Sequence, residues 1–371
     1  MSSYLIFTFK KIFNNKMNVF LFLLIPFFSI LLLFVNLNAQ KSDNMYYYAQ
    51  EAIKFNKDTI HQSNEGKLQQ STGNNAKKML TMNSNIQSSI DQGNWYAAYN
   101  AQKKYNNYLT NGPDDMPSSF KQIEKRNNLL MNYLTRHRIT DPESENYPTH
   151  NLTFTNWINN VLMPISISIL MIFVLGRLFT SKFYGSINKS KLIPINSNKE
   201  SILEIIIGGI GFSLYYLIVN LFNFIISSVI VGATRLDYPF FTNVNGIMKY
   251  VPTISIFGKA LFLQVLIIFF MTSFIYLISL ICKKTLSTII TSIALIIILS
   301  ASTHIFNFLK AIAEFLPTTY IDNIGIISGN SLHLSNRIGL TDGVIVLLIS
   351  ILVIIGFIFT VNKSTELKEH K

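Results

Sequence analysis

The sequence predicts an all-α polytopic membrane protein, with six transmembrane helices and a small helical extracellular domain between helices 1 and 2. Three observations lead there. Of 371 residues, 49% are hydrophobic and only 13% charged, with 29 phenylalanines and a mean hydropathy of +0.33, whereas soluble domains carry about a quarter charged residues. Six separate apolar runs approach or exceed the roughly 20 residues that a helix needs to cross a bilayer. The Lys and Arg residues, finally, are unevenly distributed around the ends of those runs.

Residues 1–16 alternate Tyr4, Leu5, Phe7, Phe9, Ile12 and Phe13 with Lys10, Lys11 and Lys16. Such a segment suits an amphipathic helix lying in the cytoplasmic interface. The first span is expected at 17–37. Although the small residue Ala39 follows it, the run exceeds the apolar core of about 7 to 15 residues of a cleaved signal, so an uncleaved anchor is expected. Residues 38–156 have a different composition, rich in Asn, Gln, Ser, Lys and Tyr, with thirteen basic and eleven acidic residues and no long apolar run. Apolar residues recur there at helical spacing over Ala76–Ile90, Trp95–Leu109 and Ser118–Arg138, and 112–117 and 141–148 read as turns. The aromatic groups Tyr46–Tyr48 and Trp95, Tyr96, Tyr99, Tyr105 and Tyr108 fit either a substrate-binding surface or a structural role, closing a small helical core or lying at the membrane interface.

Five more spans are expected within 157–361, at Trp157–Phe179, Ile202–Val231, Ala260–Cys282, Leu286–Leu309 and Gly343–Val361, with a tail at 362–371. Pro26 and Pro164 fall inside spans, where neighbouring helices satisfy the freed carbonyls, so kinks are expected and not breaks. Orientation follows from the bias of Lys and Arg near span ends. One side carries thirteen of them, including Lys10, Lys16, Arg177, Lys182, Lys199, Lys283 and Lys363; the short loops of the other carry five. Both termini are therefore expected in the cytoplasm of a cell (plasma) membrane, with 38–156 outside.

A formal charge of +12 permits nucleic-acid binding in principle, but the basic residues flank apolar runs and form no patch on a soluble fold. No nucleic-acid partner is expected; the surrounding partner is membrane lipid. Cys282 is the sole cysteine, so an intrachain disulfide is ruled out. The six histidines have no metal-ligand spacing. No Gly-x-x-x-x-Gly-Lys-Ser/Thr occurs, so ATP hydrolysis on this chain is not expected. The span centres hold no Asp, Glu, Lys or Arg, which argues against proton or sodium coupling. Glu200 and Glu204, at the start of the third span, read as capping and dipole residues. Asn220, Asn223 and Gln264 are candidates for a translocation path, and inter-helix hydrogen bonding accounts for them equally well.

Two stretches resemble a known family. Between spans two and three, within the loop 180–200, stand Phe183-Tyr184-Gly185-Ser186-Ile187, then Leu192-Ile193-Pro194-Ile195-Asn196, then Lys199. This is similar to the coupling loop of ABC-2 type transporter permeases, with an acidic-basic-Gly-Thr start, a Leu-x-x-Pro-hydrophobic-Ser centre and a basic end. Phe183 and Tyr184 replace charged residues of that pattern, and Asn196 replaces Ser. Before the last span, Leu316-Pro317-Thr318-Thr319-Tyr320 within 310–342 resembles the family's outer Leu-Pro-x-x-Tyr segment, which dips back into the membrane.

The resemblance implies a short coupling helix in the first loop, a second permease copy forming a twelve-span homo- or heterodimer, and a separate ABC ATPase subunit carrying ATP and Mg. It implies no cofactor and no catalysis on this chain. Permeases with a large outer loop after the first span resemble peptide exporters or antimicrobial-peptide resistance systems of Gram-positive bacteria. Export of lipid, polysaccharide or drug is the alternative within the family. A membrane-anchored receptor or immunity protein, binding a peptide without transport, is the alternative outside it.

Overall fold

The computed structural model describes residues 10, 12, 14–111, 117–184, 187–188, 196–233, 235–305, 312–330 and 338–369. About four fifths of them are helical, and five helices among the described residues are long and apolar enough to cross a membrane.

The first, α1, spans Lys16–Ala39; Asn15 caps it by accepting the Met17 N–H at 3.1 Å, and it runs through Pro26 without interruption. One stripe, including Ile25, Ser29, Leu33 and Asn36, is buried, while Phe20, Leu23, Phe27 and Phe34 on the rest of the surface are exposed. In water such a contiguous apolar surface is costly, and in lipid it is the natural outer face. Phe22 packs on Phe212 and Tyr215, and the Tyr215 hydroxyl donates to the Phe22 carbonyl at 2.7 Å.

Four polar helices follow: α2 Met45–Asn64, α3 Gln70–Asp91, α4 Trp95–Thr110 and α5 Ser118–His137. Each packs on its neighbour in sequence. The last three fall where apolar spacing predicts them, whereas α2, which carries Tyr46–Tyr48, has too few apolar positions for the pattern to register. Within this layer Tyr99 is fully buried with Met131, Leu134 and Ile139, and its hydroxyl donates to the Ile139 carbonyl at 2.9 Å. Of the two roles open to this aromatic, closure of a small core is the one observed. Residues 112–116 of the first expected turn lie outside the described residues.

The remaining helices form the apolar bundle: α6 Asn151–Val161, α7 Met163–Thr180, α8 Ser197–Ile230, α9 Thr253–Cys282, α10 Thr285–Ile305, the short α11 Asn323–Ser328, and α12 Leu340–Glu369. Helix α9 is the central post, in contact with α7, α8, α10, α11 and α12, and it buries Leu263, Ile267, Met271 and Ile275. At Leu162 the ladder between α6 and α7 is interrupted for one residue whose dihedrals stay right-handed helical. Pro164 then falls in the first turn of α7, where its missing N–H has no intrahelical acceptor to lose. Helix α10 follows the expected fifth span as far as Ile305, with 306–309 outside the described residues, and its described apolar stretch, Thr285–Ser300, is shorter than the other five.

Two antiparallel ladders interrupt the helices. The smaller pairs β1 Phe183–Tyr184 with β2 Ile187–Asn188, between α7 and α8; the larger pairs β3 Pro239–Val244 with β4 Ile247–Pro252, between α8 and α9. The larger ladder turns at Asn245 and Gly246, both with positive φ (54° and 75°), the conformation that a two-residue hairpin turn demands. It joins layer to bundle. The Tyr133 hydroxyl of α5 donates to the Asp237 carbonyl at 2.8 Å, the Arg126 guanidinium lies 4.2 Å from the Phe241 ring centroid, and Asn330 donates to the Phe241 carbonyl at 3.2 Å.

Side-chain contacts fix which helix ends lie together. Thr180, ending α7, is 2.7 Å from Thr285, starting α10; Asn362, late in α12, donates to Asn198, starting α8, at 3.0 Å. The described lysine-rich termini, with Arg177, Lys182, Lys199, Lys283 and Lys363, thus share one end of the bundle. The hairpin and the four-helix layer share the other.

Candidate functional site

At the lysine-rich end, Lys182 follows directly on α7 and is buried. Its Nζ donates to Glu204 at 2.9 Å, to Glu200 at 3.3 Å and to the Tyr276 hydroxyl at 2.8 Å. Tyr276 in turn donates to Ser201 at 2.9 Å, and Ser201 receives a bond from Asn362 at 3.0 Å. One lysine therefore ties together α8, α9 and, through Ser201, α12. Four residues apart, Glu200 and Glu204 lie on one helical face. They are partners of this lysine; the cap of α8 is Asn196 and not either glutamate, while Glu200 does stand in the first turn of α8, as a dipole residue would. Ion pairs buried to this extent are rigid, since breaking one leaves an uncompensated charge.

The chain that carries Lys182 continues into the expected coupling loop. Phe183 is half-buried against the bundle core, with Lys182 Nζ 5.8 Å from its ring centroid. Tyr184 and Ile187 face each other across the small ladder, and Lys199 stands exposed in the first turn of α8. The short coupling helix that the resemblance implies is not present at 183–184 and 187–188, which pair as strands. Gly185, Ser186 and Pro194 lie outside the described residues.

A seam of amides runs through the bundle interior. The Asn159 amide of α6 donates to Asn220 Oδ1 of α8, the Tyr216 hydroxyl donates back to Asn159 Oδ1 at 2.9 Å, and the Asn220 amide donates to the Tyr216 carbonyl at 2.9 Å. Because α6 and α8 run antiparallel, Asn156 and Asn223 fall one turn farther along the same seam. Both side chains are buried, and neither amide has a hydrogen-bond partner among the described residues. Beyond them Ser227 donates to the Thr149 carbonyl. On the other side of the bundle Asn323 of α11 donates to Gln264 Oε1 of α9 at 2.8 Å. So Asn220 and Gln264 are engaged between helices, whereas Asn223 is a buried amide left open.

Leu316, Pro317 and Tyr320 lie at the opposite end from Lys182. Leu316 flanks a 3-10 turn, Pro317–Ile321, started by Pro317; Tyr320 is fully buried and its hydroxyl donates to the Glu314 carbonyl at 2.7 Å. The chain then enters α11, every residue of which is buried, and leaves through Gly329 (φ 68°). Sequence reading missed Lys182, Asn156, Asn159 and Asn323. The asparagines carried a usable signal, since 156/159 and 220/223 are both spaced three apart, each pair on one helical face. No protein-family model, curated protein or solved structure matches the chain.

Proposed function

We propose that the chain is the transmembrane permease subunit of an ATP-driven exporter that moves an amphipathic substrate, a peptide, out of the cell. In this reading it spans the membrane six times with both termini in the cytoplasm, holds 38–156 outside, pairs with a second permease copy, and rests on a separate ABC ATPase subunit that carries ATP and Mg. The observation that carries the proposal is the buried Lys182 cluster. It stands at the root of the loop that resembles a coupling segment, and it is hydrogen-bonded or ion-paired to two of the long apolar helices. A displacement of the loop therefore acts on α8 and α9 together, which is what a permease driven from a separate motor requires. The uncharged, amide-bearing interior fits a substrate that presents an apolar face and keeps its charges near the interfaces.

The test is reconstitution. The chain is co-expressed with a separate ABC ATPase subunit identified by co-purification, and both are placed in vesicles with a fluorescent amphipathic peptide. ATP-dependent peptide movement is expected, together with peptide-stimulated ATP hydrolysis, and Phe183→Ala with Tyr184→Ala should uncouple the two. Saturable peptide binding with no ATP-dependent movement and no co-purifying ATPase would refute the exporter and favour the receptor.

A further inference from the structure

At the end of the bundle away from Lys182, a cleft of about 350 Å3 lies between α6, strand β3 and the segment 143–148. Two buried polar groups on its wall are incompletely satisfied. Glu143, its side chain 1% exposed, uses Oε2 to accept the Thr149 N–H (2.9 Å), the His150 N–H (3.1 Å) and His150 Nδ1 (3.0 Å). Its Oε1 has no partner among the described residues, and neither has the amide oxygen or nitrogen of Asn156. Buried polar atoms in folded proteins are nearly always paired, so an acceptor-rich set left open beside a cleft asks for a ligand.

The chemistry of that ligand follows from what remains unspent. Arg126 is engaged: it pairs with Glu145, lies over Phe241 and donates from Nε to the Tyr250 hydroxyl at 3.3 Å. The cleft thus holds two buried unpaired acceptors, Glu143 Oε1 and Asn156 Oδ1, the Asn156 amide nitrogen beside them, the exposed Asn160, and the faces of Trp157 and Phe240. An ammonium group brings three donors and one positive charge, and aromatic faces attract it further. At this volume, near the lower bound of about 300 Å3 for ligand pockets, a side chain or headgroup fits and a whole peptide does not.

We infer that this cleft is a binding site for a primary alkylammonium group, received between Glu143 Oε1, Asn156 Oδ1 and the aromatic wall. A lysine side chain or free amino terminus of an amphipathic peptide supplies that group, and so does an ethanolamine lipid headgroup. Neither source depends on the export reading, because binding is measured without ATP or an ATPase.

The test is titration of the purified full chain in detergent at pH 8, where His150 competes least for Glu143. One probe is a lysine-containing amphipathic peptide alongside its fully acetylated twin; the other is phosphatidylethanolamine alongside phosphatidylcholine. The amine-bearing member of at least one pair should bind at least about tenfold more tightly, the loss expected for one charge-assisted hydrogen bond, and Glu143→Gln should abolish the difference. Asn156→Leu, which leaves the Glu143–His150 contacts in place, should do the same and serves where Glu143→Gln fails to fold. A preference confined to the peptide or to the lipid identifies the natural source. Equal binding within both pairs, or a preference surviving in both variants, overturns the site.

Discussion

Replacing Lys182 by Met removes the charge and retains most of the volume. Three buried partners lose a bond at once: Glu204 at 2.9 Å, Glu200 at 3.3 Å and the Tyr276 hydroxyl at 2.8 Å, of which Tyr276 keeps its bond to Ser201. The two carboxylates, 8% and 11% exposed, lose the ammonium that lies between them. Removing one partner of a buried ion pair costs about 3–5 kcal/mol, and the like charges add to that. Thermal unfolding in detergent should therefore show Lys182→Met to be the most destabilising change at this end of the bundle. Adding Glu200→Gln and Glu204→Gln to it should recover much of the loss, because an uncharged cluster has nothing uncompensated to bury. A Lys182→Met variant as stable as the parent, or a triple variant that is additively worse, would refute the reasoning.

Two further outcomes are expected. Gly329→Ala places a Cβ 2.1 Å from the Asn243 carbonyl oxygen at a φ of 68°; strain of this kind costs on the order of 1–3 kcal/mol, and hydrogen exchange should rise across 239–252 while α1 stays protected. The hydrogen bond that Glu143 Oε2 accepts from the His150 ring holds the imidazole pKa above its ordinary value, against the opposing effect of burial. The folded state thus binds the proton more tightly than the unfolded chain, and the stabilisation is complete below about pH 6.5 and disappears as pH climbs through the higher folded-state value. Melting curves between pH 5 and about 9 should show that fall, and His150→Gln should flatten it.

The long helices were legible because lipid demands an unbroken apolar run: α1 lies within two residues of its expected ends, while α8 and α9 start five and seven residues before their expected spans and α12 runs eight beyond its own. The 239–252 hairpin lies outside the all-α expectation, although Asn245-Gly246, between Phe240-Phe241 and Tyr250-Val251, is a strong short-range turn signal. The Lys182 cluster was not legible as a unit. Its members come from 182, 200, 204 and 276, and only the spacing of the two glutamates is local. Tyr99 had two readings in the sequence because its hydroxyl partner, the Ile139 carbonyl, is a backbone group forty residues away, and residue types do not report backbone partners.

The hairpin also sets an order of assembly. The small core of the four-helix layer is completed by Tyr238, and Tyr133 and Arg126 find their acceptors at Asp237 and Tyr250, 104 and 124 residues later in the chain. When ribosomal synthesis has just finished α5, that core still lacks its lid. It waits until α6, α7 and the whole of α8 have been made, and until the strand pair after α8 has emerged on the same face. Under the proposed topology, maturation of the layer therefore depends on correct insertion of the helices between: threading α8 the wrong way would deliver the hairpin to the opposite face and leave Tyr99, Met131 and Leu134 uncovered.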